Sequence, residues 1–171
     1  MKLKDGKMAE EGRFDKLKAE SVQKIYESNQ QLIYIADRKV AALLLINAVL
    51  ISFSATWNLR EYTSSIKIFF LIAVLLAALS TIFYLFAIIP RISEQAPKSM
   101  LHYKGILASS RDKYVSKMTE ISDDDLQKDY LETIYALSSI QMKKNRYLRW
   151  GSELLILSIV LLALSFVLHN L

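Results

Sequence analysis

The 171-residue chain has no cysteine, only two prolines, four glycines and two histidines. Without cysteine there is no disulfide framework, no thiolate nucleophile and no zinc ribbon. His102 and His169 are too few and too far apart in sequence for a metal box, so neither a metal nor a cofactor is expected. Scarce glycine and proline leave little turn punctuation, and alternating strand patterns are missing too, so long uninterrupted helices are predicted. A glycine-rich phosphate loop, a GxSxG elbow and an HExxH motif are also absent, which argues against an enzyme. A carboxylate pair can be nominated from Asp123, Asp124, Asp125, Asp129 and Glu132, but an acidic run at a solvated helix start explains these residues more simply.

Charge of one sign is in modest excess: 22 Lys plus Arg against 17 Asp plus Glu give +5. That is weak for a DNA or RNA partner, and its placement beside apolar blocks points to anionic lipid headgroups. Hydrophobic residues make up 53% of the chain and charged residues 23%, yet the charge is excluded from three long blocks. A water-soluble core does not require that segregation; a lipid bilayer does.

The first block, residues 40–57, is 18 uncharged residues, about 27 Å of helix. The second, 68–89, is 22 uncharged residues, about 33 Å, closed by Pro90. The third, 154–168, has 15, with Trp150, Gly151 and His169 to Leu171 available for the interfacial turns. Each is read as a span, since about 18 to 20 apolar residues cross the hydrocarbon and no centre carries a charge. The acidic residues interleaved through 1–39 do not suit a cleaved signal peptide, so a retained N-terminus is expected. Nine Lys plus Arg precede the first span, two (Arg60 and Lys67) separate the first and second, eleven lie between Arg91 and Arg149, and none follows the third. The positive-inside rule then places 1–39 and 91–149 in the cytoplasm and the 58–67 loop and the C-terminus outside. The organisation expected is a cytoplasmic N-terminal helix (1–39), a transmembrane hairpin (40–90), a cytoplasmic helical segment (91–149) and a third transmembrane helix (150–171).

The cytoplasmic parts read as helices prolonging the spans. Phe14, Leu17, Val22, Ile25, Leu32 and Ile35 form an apolar stripe able to bury against a partner. Ser122 with Asp125 has the spacing of a capping box, and Leu126, Tyr130, Ile134, Leu137 and Ile140 continue at three and four spacing. One helix from about Asp123 into the third span and another from about Glu11 through the first are predicted.

Asn47 sits mid-span, where an unpaired amide is costly, so it faces protein or water rather than lipid. One amide suffices for an interhelical hydrogen bond, whereas a conduit needs a row; Ser52, Ser54, Thr56, Ser80, Thr81, Tyr84, Ser158 and Ser165 supply modest polarity, and serine and threonine often bond their own backbone. Asp37, Arg38 and Lys39 lie at the inner edge of the first span. Asp37 can pair with Lys143, Lys144, Arg146 or Arg149, or with Arg91, and together these groups make a charged ring at the cytoplasmic interface. The ring can be a positive-inside anchor, or a pocket with cations for a phosphate and Tyr34, Tyr103, Tyr135 and Tyr147 for stacking a base. Trp57, Tyr62, Tyr147 and Trp150 read as interfacial belt residues, Glu153 as a partner for Arg149, and His102 as a surface residue.

The string Ala36-Asp37-Arg38-Lys39-Val40-Ala41-Ala42 running into a span with Asn47, a second span ending Ile88-Ile89-Pro90-Arg91-Ile92, and the closing run of Leu126, Tyr130, Ile134, Tyr135, Leu137-Ser138-Ser139-Ile140, Lys143-Lys144 and Tyr147-Leu148-Arg149 resemble the transmembrane effector of Pycsar antiphage systems. The likeness covers about residues 30–168 and rests on order and spacing rather than on one motif. It implies a bacterial inner-membrane defence protein whose partner cyclase makes cyclic CMP or cyclic UMP, and which then impairs the membrane and aborts infection. No room remains for a β-rich nucleotide-binding domain, so the resemblance places any ligand site on the cytoplasmic helices, here assigned to Arg91, Tyr135, Lys143, Lys144, Arg146 and Arg149. Three spans cannot enclose a wide conduit, so a homo-oligomer is expected. The rival reading is a passive membrane scaffold whose cytoplasmic helices recruit a soluble partner.

Overall fold

The structure is a computed structural model that describes residues 2–58, 60, 62–89, 99–101 and 103–170, and the side chains of all of these except 2–15, 103 and 104. The expectations placed on Pro90, Arg91 and His102, and on the side chains of Phe14 and Tyr103, fall outside the described residues. Five helices follow in order: α1 (Lys2–Ala55), α2 (Ser64–Ile88), α3 (Tyr103–Leu107), α4 (Arg111–Glu120) and α5 (Asp123–Asn170). There is no strand among the described residues. Both helices predicted to run unbroken into a span do so, as α1 and α5. Three helices, α1, α2 and α5, are long and apolar enough to cross a membrane.

The chain divides into two compact units, Met1–Ile33 with Ile92–Gln141, and Tyr34–Arg91 with Met142–Leu171. α1 and α5 contribute to both. In the first unit, α5 starts on the predicted capping box: the Asp125 backbone N–H donates to Ser122 Oγ at 3.2 Å, and Ser122 Oγ donates to the Asp125 carboxylate at 2.7 Å. The acidic first turn suits the positive end of the helix dipole.

α1 meets α5 there through Val22, Tyr26 and Asn29, spaced four and three, the interval that keeps one face of a helix on its partner. Tyr26 stands edge-on to Tyr130 with centroids 5.4 Å apart, Ser138 Oγ donates to Asn29 Oδ1 at 3.1 Å, and the Gln141 amide donates to the Leu32 carbonyl at 3.4 Å. This differs from the apolar stripe expected on α1: Val22 is buried, but Leu17, Ile25 and Leu32 in this unit, and Ile35 in the second, are exposed. The reason is that α5 presents Tyr130 and Ser138 here, which pair with an aromatic ring and an amide, so the contact runs through Tyr26 and Asn29. The short segment before α3 is tied to the same helix by Ser99 Oγ and Thr133 Oγ1 at 2.9 Å and by the Met100 N–H donating to Asp129 Oδ2 at 2.8 Å. Tyr114 on α4 donates to the Met100 carbonyl at 3.3 Å.

The second unit is packed in the reverse sense to a soluble domain. Its buried residues on α2 are Phe70, Ala73, Ala77, Ser80, Tyr84 and Ala87, again at three and four spacing. From α1 and α5 come Ala36, Val40, Asn47, Ser54, Leu155, Ser158, Leu162 and Ser165. Leu45, Ile46, Val49 and Phe53 on α1, Ile68, Leu71, Ile72 and Leu75 on α2, and Ile156, Val160, Phe166 and Val167 on α5 are exposed. In water, large aliphatic side chains go inside and serine and asparagine stay out. Small and polar residues between helices with aliphatics outside are what lipid selects, because hydrocarbon solvates leucine as well as a core does.

Candidate functional site

Of the polar side chains expected to line or stitch the spans, Asn47, Ser54, Ser80, Tyr84, Ser158 and Ser165 are buried inside the second unit, Thr81 is half-buried, and Ser52 and Thr56 are exposed. Asn47, 0% exposed, donates through Nδ2 to the Ala77 carbonyl at 2.8 Å and to Thr81 Oγ1 at 2.9 Å, the interhelical bond expected of it. Its Oδ1 is buried and has no hydrogen-bond partner among the described residues. Ser80 donates to the Gly151 carbonyl and Ser158 to the Ala73 carbonyl, both at 2.8 Å. Ser54 and Ser165 instead return to their own helices, donating to the Leu50 and Leu161 carbonyls. Each interhelical bond satisfies a hydroxyl or amide that lipid leaves bare.

Gly151 carries a role that spacing alone does not show. A Cβ built on it lies 2.6 Å from Tyr84 Cε1 and 2.8 Å from Cδ1, closer than atoms tolerate. Tyr84 is fully buried, so its ring packs on bare α5 backbone while Ser80 reaches the carbonyl of the same glycine. The signal in sequence is a residue with small side chain every seven positions on α5, at Gly151, Ser158 and Ser165.

The interfacial charges pair as the sequence suggests. Lys144 Nζ donates to Asp37 Oδ1, with the lysine side chain 13% and the aspartate 42% exposed. Arg149 Nε donates to Glu153 at 2.9 Å one turn on. The Arg146 guanidinium lies 5.7 Å from the Trp150 ring centroid, and that of Arg38 5.8 Å from the Tyr34 ring. Both distances suit a cation over a π face. Lys39 and Lys143 are exposed. Of the ligand residues expected, Lys143, Lys144, Arg146 and Arg149 therefore share one unit, Tyr135 belongs to the first unit and is 79% exposed, and Arg91 lies outside the described residues. The belt residues cluster at both ends: Trp57 stacks on Tyr62 with centroids 6.0 Å apart, and Tyr147 meets Trp150 edge-on at 6.3 Å. Tyr62 also stacks on His169 with centroids 4.0 Å apart.

The first unit holds a cleft of about 800 Å³ that sequence reasoning did not find. One wall is Lys16, Lys18, Glu20, Val22 and Gln23 of α1; the other is Ser122, Asp123, Asp124, Leu126, Gln127 and Tyr130 of α5 and its cap. The two walls are about a hundred positions apart in sequence, so no local spacing announces them. On α1 in the same unit, burial raises the Tyr26 phenol above its ordinary range, with nearby Tyr130 adding to the rise. No group of acidic residues or histidines able to hold a metal ion occurs among the described residues.

A family model for the Pycsar effector protein domain matches residues 21–169. The chain belongs to the Pycsar effector family. No curated protein and no solved structure matches it. The family match spans α2 and α5 and most of α1, so it takes in the whole packed part of the apolar unit, and it makes the protein an antiphage defence effector. Membership and the three apolar helices together make it a membrane protein.

Proposed function

We propose that this Pycsar effector sits in the bacterial inner membrane, senses cyclic CMP or cyclic UMP made by a partner cyclase, and impairs the membrane so that the infected cell stops supporting phage. It acts as a homo-oligomer and not as an enzyme, with the cyclic nucleotide as its activating ligand and no resident cofactor. Residues 1–39 and 91–149 are cytoplasmic, and α1, α2 and α5 cross the bilayer. The observation that carries this reading is the packing of the second unit: its helices meet through Asn47, Ser80 and Ser158 beside a few buried large residues such as Val40, Tyr84 and Leu155, while most of its large aliphatic side chains face outward.

The hydrogen bonds across this interface are individually weak, since such bonds average about 0.6 kcal/mol in a membrane protein core. Such an interface can be rearranged by the few kcal/mol that a ligand's differential affinity for two states supplies. The interfacial cations serve mainly as anchor, because Lys144, Arg149 and Arg146 are already engaged by Asp37, Glu153 and Trp150. The test is membrane potential in cells carrying the protein and an inducible pyrimidine cyclase. Depolarisation on induction is expected, and only with the effector present. A passive scaffold gives no depolarisation with or without the cyclase.

A further inference from the structure

We infer that the cleft between residues 16–23 of α1 and the start of α5 is the nucleotide site, and that its carboxylates make it selective for a singly charged cyclic ester over a linear phosphate. This rests on the cyclic-pyrimidine reading above and names the place where it is exercised. The cleft's volume of about 800 Å³ falls within the roughly 300–1,000 Å³ typical of small-molecule sites. Its lining divides by chemistry. Lys16 and Lys18 are compact cations suited to a phosphate. Tyr130 supplies an aromatic wall for a base, and Val22 and Leu126 an apolar floor. Gln23, Glu20, Asp123 and Asp124 accept hydrogen bonds from a base N–H or a ribose hydroxyl, as carboxylates do from the cytosine amino group.

The lysines and the aspartates of opposite walls form no ion pair with one another. A ligand with an anionic end and a donor-bearing end satisfies both walls at once. Three carboxylates beside two lysines also set a limit on charge. A cyclic phosphodiester brings a single negative charge, which the lysines take. A linear monophosphate brings nearly two at neutral pH, and the added charge faces Glu20, Asp123 and Asp124.

The experiment is titration calorimetry on the full chain in detergent with cyclic CMP, cyclic UMP and linear 5′-CMP. Three variants are compared with the parent: Lys16→Ala/Lys18→Ala, Asp123→Asn/Asp124→Asn, and, outside the cleft, Lys143→Ala/Arg146→Ala. The lysine variant is expected to bind the cyclic nucleotide about tenfold or more weakly, a loss of about 1.4 kcal/mol. The aspartate variant should narrow the preference for cyclic over linear CMP, and the third variant should bind as the parent does. Unchanged affinity in the lysine variant, or loss confined to the third variant, overturns the cleft while leaving the cyclic-nucleotide reading in place. A parent that binds neither cyclic nucleotide overturns both. Ultraviolet cross-linking of labelled cyclic CMP to the parent chain gives a readout independent of any variant's folding: cross-linked peptides from 16–23 or 122–130 support the site, and cross-links confined to other peptides overturn it.

Discussion

The Lys144 ammonium donates to the Asp37 carboxylate across 107 positions of sequence, joining α5 to α1 at the end of the apolar unit. The lysine is nearly enclosed and the aspartate half-exposed, so the pair lies between the surface and the buried case. Lys144→Ala leaves a carboxylate with poorer solvation and no partner, and a loss of about 1–2 kcal/mol is expected after allowing for solvent screening. Thermal unfolding in detergent reads it. The reversal Asp37→Lys/Lys144→Asp should recover most of the loss, and failure to recover would mean that other contacts fix this geometry.

Asn47→Ala removes the donor to Ala77 and Thr81 inside the apolar unit. About 0.6–2 kcal/mol of stability is expected to go, the range for interhelical hydrogen bonds in membrane proteins. Asn47→Asp should cost more, since it deletes the donor and adds a charge at a site with no exposure. A thermal or denaturant series on the two variants checks the order, and an aspartate variant as stable as the parent would rule out the enclosed setting.

Gly151→Ala puts a methyl group where the Tyr84 ring lies, and a buried ring has less freedom to give than the end of a flexible chain. Overpacking of this kind costs about 1–3 kcal/mol. Tyr84→Phe keeps the clashing ring carbons and should not rescue the variant; Tyr84→Leu should rescue it in part. Equal rescue by both would show that the phenol hydroxyl, not the ring, is the source of the conflict.

Tyr26 has its phenol pKa raised by burial beside Tyr130, so the fold favours the neutral ring. The unfolded chain deprotonates first as pH rises. The contribution to stability is therefore complete below about pH 10, the ordinary phenol value, and is lost as pH climbs through the higher folded value. Tyr26→Phe should flatten that alkaline limb, followed by helix content against pH, and an unchanged limb would assign it to other groups.

Much of the fold was legible in the sequence because the bilayer imposes a coarse rule. Charge-free blocks at 40–57, 68–89 and 154–168 mark helices by length alone, and the scarcity of glycine and proline explains why α1 and α5 run unbroken. Local chemistry was legible too: the Ser122 and Asp125 box, the Arg149 and Glu153 turn, and the enclosed Asn47 each follow from residue type and spacing. What escaped is the face that α1 presents. Counting apolar residues chose Leu17, Ile25 and Leu32 together with Val22; Val22 is buried as expected, but the contact continues through Tyr26 and Asn29, which meet Tyr130 and Ser138 on the facing helix. Spacing also could not show that Gly151 is bare to admit Tyr84, nor that Lys16 and Lys18 share a cleft with Asp123 and Asp124, since both depend on residues distant in the chain.

Dye release from sealed proteoliposomes containing only the purified effector addresses membrane impairment without cells, cyclase or phage. Addition of cyclic CMP or cyclic UMP to vesicles with accessible cytoplasmic segments should release the dye, while linear nucleotides and protein-free vesicles should not. Vesicles that stay sealed under both cyclic nucleotides, although calorimetry shows the same preparation binding them, would mean that these helices sense the signal without breaching the bilayer.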